Sequence, residues 1–307
     1  ARKGFIRRMV AIIHTPTKSR QIRIYLSRMG NNNIFEKRNT YIPKQMKIVL
    51  FITATGKYTE FLPKLIQSAD KYFMPQQEVV YIIFVSDIAT PLPETKRGIE
   101  YIQVEHKPFP EASMWRSYFY SKYLSDHNHH EKFTHCFAID ADAYFASEVT
   151  SDICNNPLVC VAHGAYINRT DAAPFEKNAN SSCFPYNPTT YVGGGFYGGQ
   201  TFSFKLMCGL MFLYIQNDKF VGITPIWHDE SAINKFVSKN EAIVKILPPT
   251  YHYCEHEPGK LNPYMHELWM EKQEYIMMRW AIEPPFTPKI VFVDKDKAGK
   301  GTNYYRN

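Results

Sequence analysis

From Lys47 onward the chain alternates short, continuous apolar runs with segments whose apolar residues recur every three to four positions. "KIVLFITAT" (47–55) predicts a strand buried on both faces, and "YTEFLPKLIQSADKYF" (58–73) predicts an amphipathic helix. "VVYIIFVSD" (79–87) and "GIEYIQVE" (98–105) predict two further strands. "MWRSYFYSKYLSD" (114–126) then predicts a helix and "KFTHCFAID" (132–140) another central strand. Strands alternating with helices imply an α/β protein with a largely parallel sheet covered on both faces. Residues 1–45 lack this periodicity and are rich in Arg, Lys and Asn, which predicts an extended arm or stem ahead of a domain over 46–307.

Composition narrows the picture. A chain of 307 residues with 45% hydrophobic content can bury a large core. Its formal charge of +7 favours an acidic partner: nucleic acid, an anionic membrane surface or a phosphorylated small molecule. The longest apolar stretch, "LMCGLMFLYI" (206–215), is too short to span a bilayer and predicts a buried helix, so no transmembrane segment is expected in the chain. The six cysteines lack the C-x-x-C spacing of a structural zinc site. The histidines of "DHNHHEKFTH" (126–135) fall between a helix and a strand, where a solvated connection accounts for them.

Three stretches carry chemistry. "FAIDADAYF" (137–145) ends an apolar strand on Asp140 and Asp142, whose spacing presents two carboxylates to one point. Hard oxygen ligands suit Mn²⁺ or Mg²⁺, with diphosphate oxygens completing the shell, although turn chemistry alone also explains aspartates there. "YVGGGFYGG" (191–199) fits G-x-G-x-x-G at Gly193, Gly195 and Gly198, with Asp218 at a later spacing suited to a ribose contact. Clustered glycines equally admit a sugar ring close to the backbone, or simply form a bend in the core. "PIWHDESAINKF" (225–236) reads as a loop entering a helix. There Trp227 offers an apolar face for a sugar, His228 and Asp229 can hold hydroxyls, and Glu230 can act on an electron-poor carbon.

In this order and at these separations, the three stretches resemble glycosyltransferase family 6, the α1,3-galactosyltransferases, the histo-blood-group A and B transferases, Forssman glycolipid synthase and their bacterial relatives. "WHDESAINK" carries the resemblance most specifically, and the likeness runs from about Lys47 to Asn307. It implies a GT-A fold, a single Rossmann-like mixed sheet flanked by helices, with Asp140-Ala141-Asp142 as its D-x-D motif. It also implies a retaining transfer of GalNAc or galactose from a UDP-sugar, in α1,3 linkage, to an oligosaccharide or glycolipid ending in a galactoside. Nucleic acid is not an implied partner.

By the same resemblance, Asp140 and Asp142 hold the metal, Tyr58 packs on uracil and Arg116 of "SMWR" lies against the nucleotide. His228 and Asp229 orient the donor sugar, Glu230 sits beneath its anomeric carbon, and Trp227 forms part of the acceptor wall. Gly193, Gly194 and Gly195 match positions where small residues admit an N-acetyl group, which favours GalNAc. Lys300 and Arg306 match a tail, from about 295 to 307, that folds over the diphosphate. Thr53 departs from the family by replacing an aromatic residue, and the family's usual membrane anchor has no counterpart, so Golgi residence does not follow. Two readings outside glycosyl transfer stand beside this one: an oxidoreductase binding a dinucleotide at Gly193–Gly198, and a non-catalytic basic protein that binds carbohydrate or nucleic acid.

Overall fold

The computed structural model describes residues 46–89, 93–257 and 260–295; the N-terminal arm expected over 1–45 and the tail carrying Lys300 and Arg306 lie outside them. The first half of the domain runs β1 (Lys47–Ala54), α1 (Leu62–Tyr72), β2 (Glu78–Val85), β3 (Gly98–Gln103), α2 (Glu111–Ser125), β4 (His135–Asp140), β5 (Ala143–Phe145) and β6 (Leu158–Ala162). The second half runs β7 (Val192–Gln200), α3 (Thr201–Phe220), α4 (Asp229–Lys239), β8 (Val244–Leu247), β9 (Tyr253–Glu257), β10 (Lys260–Leu261), α5 (Pro263–Glu271), α6 (Gln273–Trp280) and β11 (Ile290–Phe292).

Seven strands form the main sheet in the order β3-β2-β1-β4-β7-β6-β8. β1 runs parallel to both β2 and β4, whereas β7 runs antiparallel to β4 and β6, so the sheet is mixed. The apolar run of β1 is continuous because both its faces are covered. Ile48, Leu50 and Ile52 join Leu62, Leu65 and Ile66 of α1 in one core. Val49 and Phe51 point the other way and join Tyr120 of α2 with Phe204 and Met207 of α3. Phe51 stacks on Tyr120 at 5.0 Å and on Phe204 at 5.7 Å between ring centroids. Full burial of such a side chain stabilises by roughly 1.5–3 kcal/mol.

Strand order places the site. The chain steps from β1 outward to β2 and β3, and α2 then returns it to β4 on the opposite edge of β1. The carboxyl ends of β1 and β4 therefore flank a topological switch point, where open α/β sheets form a crevice. Thr53 and Asp140 are paired partners at that edge.

A second sheet, of order β10-β9-β11-β5, was not foreseen from the sequence. Its β5 follows Asp142 directly and pairs antiparallel with β11, and the Val293 amide donates to the Asp142 carbonyl at 2.9 Å. This brings residues 290–295 against the D-x-D turn.

The dinucleotide reading is corrected here. Gly193, Gly195 and Gly198 lie inside the antiparallel strand β7, not in a strand-to-helix turn that could cradle phosphates. Asp218 is fully buried in α3, where it accepts hydrogen bonds from the Ser181 hydroxyl and the Ser182 amide. A Cβ on Gly198 would lie 2.5 Å from the Cys136 carbonyl oxygen, so glycine there serves close approach of β4 and β7.

Candidate active site

A cleft of about 370 Å³ opens at the switch point. Tyr58, Arg116, Asp140, Asp142, Gly194, Gly195, Trp227, His228, Asp229 and Glu230 all line it, so the D-x-D turn, the glycine strand and the WHDE loop share one cavity.

Arg116, buried on α2, ties these three together. Its guanidinium bridges the Asp140 and Asp229 carboxylates and donates to the Gly194 carbonyl at 2.8 Å. Burial alone would lower its pKa, but Asp140 and then Asp229 hold it well above its ordinary value. Desolvation pushes Asp140 up to about 6; Arg116 opposes that rise, while the neighbouring charges of Asp142 and Asp229 add to it. The effect of Asp142 on Asp140 follows from two carboxylates facing one space.

The WHDE loop is held in an unusual backbone state. His228 adopts φ 55°, a left-handed value costly for a non-glycine residue, with its ring edge against Phe109 at 4.8 Å. The turn is fastened on both sides, by Ile226 N–H to Glu176 Oε2 at 2.7 Å and Trp227 N–H to Ser231 Oγ at 3.0 Å. Asp229 and Glu230 consequently begin α4 at its positive end, while Trp227 stays 47% exposed.

Glu230 accepts from the Tyr191 hydroxyl at 2.5 Å and from the Gly194 amide at 2.9 Å. Burial raises its pKa, and these two hydrogen bonds oppose the rise by stabilising the carboxylate. Four residues on, Asn234 clamps α4 to β7. Its Oδ1 accepts from Val192 N–H at 3.0 Å, and its Nδ2 donates to the Val192 carbonyl at 2.8 Å and the Glu230 carbonyl at 2.9 Å.

On the opposite wall Lys295 forms an ion pair with Asp142, with its ammonium 5.6 Å from the Tyr58 ring centroid. Burial alone would lower the Lys295 pKa, and Asp142 more than reverses that. Thr53 lines the cleft and hydrogen-bonds the Tyr120 hydroxyl at 3.0 Å. Among the described residues, no group of three or more His, Cys, Asp or Glu side chains is placed to hold a metal. Asp140 and Asp142 are a two-carboxylate set.

The glycines divide by face. A Cβ on Gly194 would meet Arg116, Glu230 and Asp229. At Gly193 it would strike the His252 ring at 2.6 Å, and at Gly195 the Phe292 ring at 2.3 Å. Two of the three glycines thus abut the protein's own aromatic rings, His252 and Phe292.

Tyr191, Asn234, Glu176, His252 and Lys295 were not singled out from sequence. Asn234 stands within "WHDESAINK" and Tyr191 two residues before the first glycine, so position hinted at both; the other three meet the site only through long-range folding.

Comparison with known proteins adds an independent line. A family model described as glycosyltransferase family 6 matches residues 27–279. The chain is similar to the globoside alpha-1,3-N-acetylgalactosaminyltransferase 1 of Canis lupus familiaris, 27% identical over 232 residues, covering 72% of this chain and 65% of that protein. It is similar to the histo-blood group ABO system transferase 2 of Rattus norvegicus, 26% identical over 226 residues, covering 72% and 65%. It is also similar to the O-antigen biosynthesis glycosyltransferase WbnI of Escherichia coli, 27% identical over 214 residues, covering 68% and 89%. The match thus spans slightly less than two thirds of the two animal proteins.

Proposed function

The chain belongs to glycosyltransferase family 6, and from that premise we propose that it transfers GalNAc or galactose from a UDP-sugar, with retention and in α1,3 linkage, to a galactoside-type acceptor. The observation that carries this reading is the meeting, in one cleft, of the paired acids Asp140 and Asp142 with Glu230. The name of the canine relative, a globoside alpha-1,3-N-acetylgalactosaminyltransferase, supports GalNAc as donor sugar.

Members of the family are generally dependent on a divalent metal, and the residues here fit one. Both carboxylates face the cleft, and Asp142 already accommodates a positive charge in the Lys295 ammonium. Asp140 and Asp142 would hold Mn²⁺ or Mg²⁺, which when bound helps neutralise charge on the UDP leaving group.

The chain's own residues supply the rest. Glu230, whose carboxylate is held by the Tyr191 hydroxyl and the Gly194 amide, faces the anomeric carbon and supports its positive charge as the bond to UDP breaks. Asp229, fixed by Arg116, orients donor-sugar hydroxyls with His228, and Trp227 offers its exposed face to the acceptor. Tyr58, which lines the cleft, stacks on uracil.

The test is to incubate the protein with Mn²⁺ and UDP-GalNAc or UDP-Gal, without acceptor, and measure released UDP. Slow release that Glu230→Gln abolishes is the expected result. No release from either donor, together with no UDP binding by calorimetry, would end this reading.

A further inference from the structure

The imidazole of His252 stands where a side chain of Gly193 would stand. A Cβ built on Gly193 would lie 2.6 Å from His252 Cδ2 and 2.7 Å from Nε2, inside any tolerated contact. His252 follows the short helical turn Pro249–Tyr251, so the ring reaches β7 from a distant part of the chain. Only 7% exposed, it still lines the cleft. His163 packs against it at 4.3 Å and Phe292 at 4.8 Å between ring centroids, which fixes its position. Its Nδ1 is buried with no hydrogen-bond partner. Burial, reinforced by His163, pushes its pKa down to about 3, so the ring is neutral at ordinary pH. An apolar side chain of similar size would fill this volume without leaving a polar atom unpaired, so packing alone does not account for histidine.

We propose that His252 is the specificity-determining residue for the donor sugar, its ring limiting the room for the substituent at C2. The proposal rests on the UDP-sugar reading above. Its geometry follows from the cleft: the Gly194 amide holds the Glu230 carboxylate assigned to C1, and His252 lines the same cavity beside it. Of the two ring atoms beside C1, the ring oxygen bears no substituent and C2 bears the hydroxyl or acetamido group that distinguishes galactose from GalNAc. Selectivity is then set by a side chain from outside the glycine strand, placed in the gap the glycine leaves.

The test compares the ratio of kcat/KM for UDP-GalNAc to that for UDP-Gal in the wild type, His252→Ala and Gly193→Ala, using UDP release. A change of one or a few heavy atoms in a pocket shifts such a ratio by about tenfold or more. His252→Ala should raise the ratio by about that factor. Gly193→Ala, whose methyl pushes the imidazole into the cleft, should lower it, and the double variant should return it toward the wild type. Calorimetric UDP binding checks that each variant keeps its site; if His252→Ala fails to fold, Gly193→Ala carries the test alone. A ratio within about twofold of the wild type in the single variants, or a ratio moving the opposite way, overturns the proposal while leaving glycosyl transfer intact. A wild type that turns over neither donor removes the UDP-sugar reading and this proposal with it.

Discussion

Replacing Asn234 with leucine tests how the WHDE helix is fixed to the sheet. The β4–β7 ladder reaches Ile139 and Phe196, and no strand of β4 lies beside Val192. There the Asn234 amide acts as one extra residue of ladder, pairing both the N–H and the C=O of Val192 at 3.0 and 2.8 Å. Asn234 is only 3% exposed, so water cannot take its place. Leucine keeps the volume but leaves two buried backbone groups unpaired, at about 1–3 kcal/mol each, or roughly 2–6 kcal/mol together. For a domain of this size each kcal/mol corresponds to about 2–4 °C in Tm, so the melting temperature should fall by roughly 5–20 °C. Activity should fall further than stability alone explains, because Nδ2 also holds the Glu230 carbonyl. Differential scanning calorimetry, with UDP release measured well below the melt, reads both. A variant melting within about 2 °C of the wild type, with normal release, would refute the clamp.

Further consequences concern the charges of the cleft. Tyr191→Phe removes a donor that favours ionised Glu230; since burial already raises that pKa, the acidic limb of the pH–rate profile should move to higher pH, and an unmoved limb would count against the assignment. Lys295→Ala removes the ammonium that occupies Asp142, so Mn²⁺ should bind the donor-free protein several-fold more tightly by electron paramagnetic resonance; equal or weaker binding would contradict competition at that carboxylate. Arg116→Met leaves Asp140 and Asp229 without their shared cation, which should destabilise the fold by about 3–5 kcal/mol in urea denaturation; a loss below about 1 kcal/mol would show that neither acid depends on it.

β1, β2 and β4 were legible because each is a nearly continuous apolar run, the local mark of burial on both faces, and β3 by apolar residues broken by Glu100 at the half-exposed edge of the sheet. The turn of Asp140 and Asp142 and the start of α4 were legible for a related reason: polar residues stand where apolar periodicity breaks. The direction of β7 was not, since side-chain alternation is the same in parallel and antiparallel strands. Glycines are poor strand formers, and only the partners at Gly193, Gly195 and Gly198 explain why β7 requires them. His252 and Lys295 were invisible for want of any local signal. One reaches Gly193 across 59 residues of chain and the other Asp142 across 153, by way of short strands in the second sheet with no strong apolar pattern. The left-handed His228 likewise reflects fastening from Glu176, far away in sequence.

The most direct measurement is a crystal structure of the protein soaked with Mn²⁺ and UDP, with anomalous data collected at the manganese edge. The expected map has one strong peak on Asp140 and Asp142, the uracil against Tyr58, and Lys295 withdrawn from Asp142. Manganese bound away from these carboxylates, or a nucleotide seated outside the cleft they share with Glu230, would contradict it.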